Sequence, residues 1–86
     1  MTLKSILNYM QRNDPNGEYD DAIVIAEGTD TAKQAEIARE MMTILDRWMD
    51  DVGDDPLSCS QLIEMFTFCN RYATERERKN SVLLLS

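Results

Sequence analysis

Residues 31–52 read TAKQAEIAREMMTILDRWMDDV and contain neither glycine nor proline. Ala35, Ala38, Met42, Leu45, Met49 and Val52 follow one another at spacings of 3, 4, 3, 4 and 3. Residues three and four apart share a face of an α-helix, so this is the spacing of a heptad-like seam. Ile37, Met41, Ile44 and Trp48 widen it. At about 100° per residue, all of these side chains lie in one half of the helical wheel. Lys33, Glu36, Arg39, Glu40, Thr43, Asp46, Arg47, Asp50 and Asp51 fill the other half. Thr29-Asp30-Thr31 offers an N-cap. The stretch predicts a helix about 33 Å long at about 1.5 Å per residue.

Downstream, Gly53-Asp54-Asp55-Pro56 breaks the pattern. Gly53 suits a left-handed C′ position, and Pro56 cannot continue the helix. So short a connection makes the next helix an antiparallel neighbour. Ser58 and Gln61 are spaced as a capping box for it. Leu62, Phe66, Cys69 and Ala73 recur at spacings of 4, 3 and 4, flanked by Ile63, Met65, Phe68 and Tyr72. The predicted helix spans 58–79, with Arg76, Arg78 and Lys79 suited to its negative end. Asn80-Ser81 then leads into an apolar tail, VLLL, at 82–85.

Upstream, Leu3, Ile6, Leu7 and Met10 occupy one helical face behind a potential Thr2 cap. Asn13-Asp14-Pro15-Asn16-Gly17 supplies turn formers that end this helix near Arg12. Residues 18–28, EYDDAIVIAEG, read in two ways. Tyr19, Ala22, Ile23 and Ala26 fit a helical face, whereas the β-branched Ile23-Val24-Ile25 fits a short strand at 19–27. A strand here would find a partner only at 82–85, so the helix is preferred. The expectation is one small all-α domain over 1–86: an antiparallel hairpin of two long helices with a short N-terminal helix packed on it.

The second long helix carries an apolar arc about 220° wide by the same wheel arithmetic, well beyond one seam. The first helix has only four apolar face residues to cover it. A chain this small buries only about 60% of what its unfolded form exposes. Oligomerisation, most simply a homodimer with a four-helix core, is therefore expected to complete the core.

The 86 residues include 16 acidic and 9 basic side chains and no histidine, for a net charge of −7. That balance opposes direct nucleic-acid binding, which needs a basic footprint. A helix-turn-helix drawn over 31–79 would turn Asp54 and Asp55 toward phosphates. Without histidine, a phosphate-binding loop or a nucleophile motif, no enzyme, cofactor or metal site is expected. Asp14, Asn16, Glu18 and Asp20 alternate as calcium-loop ligands do, but Gly17 falls at the fourth position and Ile25 at the twelfth. Gly53-Asp54-Asp55-Pro56-Leu57 resembles the acyl-carrier attachment stretch, yet Pro56 stands where the modified serine must be.

Residues 1–12 have no signal-peptide pattern, and the longest apolar run, 22–26, has five residues. A soluble, cytoplasmic protein with no membrane association is expected. Cys59 and Cys69 on one helix would sit about 15 Å apart along its axis, too far for a disulfide. Both are expected reduced.

Two acidic clusters lack any base: Asp14, Glu18, Asp20 and Asp21, and then Asp50, Asp51, Asp54 and Asp55. They are the expected docking charges for a protein partner with a basic surface. Trp48, Phe68 and Tyr72 are the expected apolar anchors. Lys33–Glu36, Glu36–Arg39 and Arg47–Asp51 stand at helical pairing distance, so the charged stripe of the long helix reads as self-neutralised. The functional expectation is a small protein-binding inhibitor or regulator, of the type phages and mobile elements encode, docking on a host nucleic-acid-handling protein. The alternative is a structural or assembly subunit that self-associates as a helical-bundle dimer through Leu62, Phe66 and Phe68.

Overall fold

In the computed structural model, Thr2 opens the first helix, α1 (Leu3–Asn13). Its hydroxyl accepts the Ser5 N–H at 3.1 Å while the Ser5 hydroxyl accepts the Thr2 N–H at 3.0 Å, a reciprocal capping box. Three further helices follow: α2 (Asp20–Glu27), α3 (Thr31–Val52) and α4 (Pro56–Leu85). The structure describes residues 1–53 and 55–85, with side chains described as far as residue 79. Among the described residues there is no strand, and no helix long and apolar enough to cross a membrane. The ambiguous segment is thus helical. A helix satisfies its own main-chain groups, whereas a lone strand would leave them open.

The long helices run antiparallel. Gln34 opposes Arg76, and Arg39 opposes Asn70 and Glu77. The short helices are antiparallel too. Gln11 donates to Asp20 at one end, and Lys4 pairs with Glu27 at the other. The core draws Leu3, Ile6, Leu7 and Met10 from α1 and Ile37, Ala38, Met41 and Leu45 from α3. Leu62, Met65, Cys69 and Ala73 come from α4, and Tyr19 joins from the turn before α2. The pair α1 and α2 therefore covers one flank of the α3–α4 hairpin.

Several expectations are corrected in detail. Met42, Met49 and Val52 are only half-buried, while Ile37 and Met41 are buried, so the packed stripe of α3 is rotated from the predicted seam toward α1 and α2. Gly53 has φ 60° and ψ −118°, a positive-φ turn conformation outside the left-handed helical well. The Asp55 N–H closes that turn on the Val52 carbonyl at 3.4 Å. Pro56 opens α4 at its first position, where its missing N–H costs nothing. The cap is Asp55, not Ser58 with Gln61: its carboxylate accepts the Leu57 N–H and the Ser58 hydroxyl. Beyond residue 79, α4 continues through Asn80-Ser81 to Leu85. The side chains of the 82–85 tail lie outside the described residues.

Candidate functional site

The expected docking charges divide by what they do. Asp14 ends α1, and its carboxylate accepts the Tyr19 hydroxyl at 3.0 Å. Burial pushes the Tyr19 phenol up to about 12, and the hydrogen bond and charge of Asp14 add to the effect. Gly17 permits this contact: a Cβ there would fall 2.5 Å from a ring carbon of Tyr19. Asp20 and Asp21 sit in the first turn of α2, against its positive end. Asp20 also accepts from Gln11 at 3.3 Å. Asp14, Asp20 and Asp55 are therefore built into loops and caps. Asp50 and Asp51 are exposed on the last turn of α3, which has no base to offset them. Asp54 lies outside the described residues.

The three expected aromatic anchors are half-buried and packed against the core. Trp48 lines a cavity of about 320 Å³ with Tyr9, Asp51 and Leu62, where α1, α3 and α4 meet. Phe68 and Tyr72 lie 6.0 Å apart, and the Arg76 guanidinium stands 3.4 Å from the Tyr72 ring centroid. That is a cation–π stack. Burial raises the Tyr72 phenol, and Arg76 works against the rise.

A different group of acids meets in space. Between α2 and α3 runs a groove of about 370 Å³. One wall carries Glu18, Asp21, Ala22 and Ile25; the other carries Lys33, Glu36, Ile37 and Glu40. The α3 set follows the i, i+3, i+4, i+7 rhythm of a helical stripe; on the other wall Asp21, Ala22 and Ile25 lie on α2 and Glu18 stands just ahead of it. The floor is apolar, and four carboxylates against one ammonium surround it. Among the described residues the ion pairs are Lys4–Glu27 and Arg39–Glu77, so none of the four carboxylates is in one. The structure thus joins Glu18 and Asp21, both expected from the sequence, to Glu36 and Glu40, which were not. It leaves Asp50 and Asp51 elsewhere, at the C-terminal end of α3.

Glu36 was missed because helical spacing suggested pairing with Lys33 and Arg39 within α3, and Glu40 because it was read as part of a solvated, largely self-neutralised stripe. Arg39 instead crosses to α4. Its Nε and Nη2 donate to Glu77, Nη1 to Asn70 and the Met42 sulfur, and Nη2 also to Thr74. Those contacts occupy all five guanidinium hydrogens. Gln34 was also missed. It is the one buried polar residue among those described, and its amide holds α2 to α3 by donating to the Ile25 and Gly28 carbonyls at 3.1 and 2.7 Å. Its position between Lys33 and Ala35, on the apolar side of the wheel, was the available signal.

On the flank away from α1 and α2, Met42 and Phe66 line a shallower recess with Arg39, Thr43 and Asp46. Next to Phe66 on the α4 surface, Ile63 is 51% exposed. No family model, curated protein or solved structure matches the chain.

Proposed function

We propose that this protein is a small binding module, an inhibitor or regulator, that docks by its acidic surface on a basic surface of another protein. One observation carries the reading: four unpaired carboxylates gather around the apolar α2–α3 groove with Lys33 as the one base on its walls. Such a surface attracts lysine- and arginine-rich partners over about a Debye length and repels phosphate backbones. The natural targets are proteins that present basic patches, and nucleic-acid-handling proteins are the leading class. Calorimetry against an arginine-rich nucleic-acid-binding domain tests the idea. Binding should weaken steeply from low to physiological salt. Binding that ignores salt, or fails at low salt, removes the proposal.

A second reading, self-association as a homodimer, is favoured by the open flank of the hairpin. Met42, Met49 and Phe66 are half-buried there, and Ile63 is largely exposed. Light scattering discriminates. A dimer that persists across salt concentrations and is broken by Ile63→Asp supports this second reading.

A further inference from the structure

The α2 helix is the most apolar element of the fold, reading DDAIVIAE, yet none of its residues is buried. Ala22 and Ile25 are half-buried and give their outer sides to the groove, while Val24, 69% exposed, stands outside it. An amphipathic helix normally owes its stability to burial of its apolar face. Here that burial is left half-complete, next to unpaired carboxylates on both walls. Resting on the docking function proposed above, we infer that the α2–α3 groove receives an amphipathic helix of a partner protein. The helix contacts it over about two turns, with aliphatic anchors at i and i+3 or i+4 and arginine or lysine along both flanks.

The geometry selects this occupant. The α3 wall runs eight residues, from Lys33 to Glu40, whose seven helical steps cover about 10 Å, which matches two turns of a docked helix. The floor offers small and branched aliphatic surface from Ala22, Ile25 and Ile37, which suits leucine-like anchors rather than a flat sheet. Apart from Glu18, which lies just ahead of α2, the walls are helices with their main chains internally bonded, and among the described residues there is no strand edge to which an extended peptide could add. Carboxylates on both sides call for cations on both flanks of the guest, and they exclude a nucleic-acid strand.

The test uses the full chain, isotope-labelled, titrated with a stapled helical peptide that carries leucines at i, i+4 and i+7 and arginines on both flanks. A control peptide keeps the leucines and replaces the arginines with glutamates. Amide shifts should gather in α2 and the first half of α3, and only the arginine peptide should bind. Glu36→Lys with Glu40→Lys should weaken binding by about tenfold or more, and Asp50→Lys with Asp51→Lys by less than about twofold. All four acids are exposed, so melting curves should show the variants folded. Shifts confined to the Asp50–Asp51 end, with loss of binding in that variant alone, overturn the groove while leaving acidic docking intact. Equal binding of both peptides, or none by the arginine peptide at low salt, overturns the groove and the function beneath it.

Discussion

Gln34 is 4% exposed and joins three helices through one side chain. Its amide nitrogen closes the C-terminal carbonyls of α2, and its oxygen accepts the Arg76 Nε–H at 3.0 Å. A short helix with no fully buried residue depends on such a tie. Gln34→Leu keeps the volume and strips the Gly28 carbonyl and Arg76 of their partner. The expected cost is about 2–4 kcal/mol in urea unfolding, with α2 amides losing protection first. Cys69 makes a second point at this scale. Burial pushes its thiol up to about 11, whereas Cys59 is half-buried near the start of α4. A thiol reagent should therefore modify Cys59 in the native protein and reach Cys69 only on unfolding. Equal rates at both would mean that the core is not closed around Cys69. The linked pH effect has a definite sign. An unfolded cysteine loses its proton near pH 8.5 while the folded one holds it to about 11, so stability falls as pH rises through that window. Cys69→Ala should remove that part of the alkaline slope. The slope left above pH 10 belongs in part to Tyr19, whose phenol is also held protonated.

Between elements, Arg39 does for the hairpin what Gln34 does for α2. A lysine keeps the charge but loses the planar fork that reaches Glu77, Asn70 and Thr74 together. Arg39→Lys should lower the melting temperature despite conserving charge. The hydrogen bond and charge of Arg39 hold the Glu77 carboxyl below its usual range. The unfolded carboxyl takes up its proton first as pH drops. The pair therefore contributes fully above about pH 4.3 and is lost as pH falls through the lower folded value. Glu77→Gln should flatten the acid limb of the stability profile; an unchanged limb would show the pair to be inert. The helices themselves were legible in the sequence, because i, i+3, i+4 spacing fixed three of them and Thr2 and Asp30 marked two starts. Their rotation was not. The apolar half of α3 is wider than the strip α4 can cover, and only the arrival of α1 and α2 decides that Met41 is buried and Met42 is not. Pro56 misled in a similar way: read from the sequence as a helix stop, it opens α4, and α3 already ends at Val52. The groove was half-legible. Glu18 and Asp21 stood out by lacking nearby bases, whereas Glu36 was hidden by Lys33 and Arg39 at helical spacing, and Glu40, with no such partner, was passed over as part of the charged stripe.

As a whole the molecule measures 47 × 23 × 19 Å, a rod about as long as α4 and only two helices thick. One thin core has little capacity to collapse around a void. Leu45 is fully buried at its centre, so Leu45→Ala should cost about 2–5 kcal/mol, and an unchanged melt would refute the packing of α3 against α4. Charge acts on this rod in two opposed ways. A net charge of −7 repels itself in the compact state, and the Arg39–Glu77 pair is partly open to solvent and contributes little against that. Added salt should therefore raise the melting temperature, since screening relieves the repulsion over about 8 Å at physiological strength. The same screening should weaken any partner drawn by the acidic groove. Opposite salt responses of folding and binding, measured on one sample, would identify the excess charge as a surface held for recognition at the expense of stability. If the melting temperature falls with salt, the internal ion pairs outweigh the repulsion and the acids are structural. If it rises while binding stays constant, the contact is apolar and the dimer reading takes precedence.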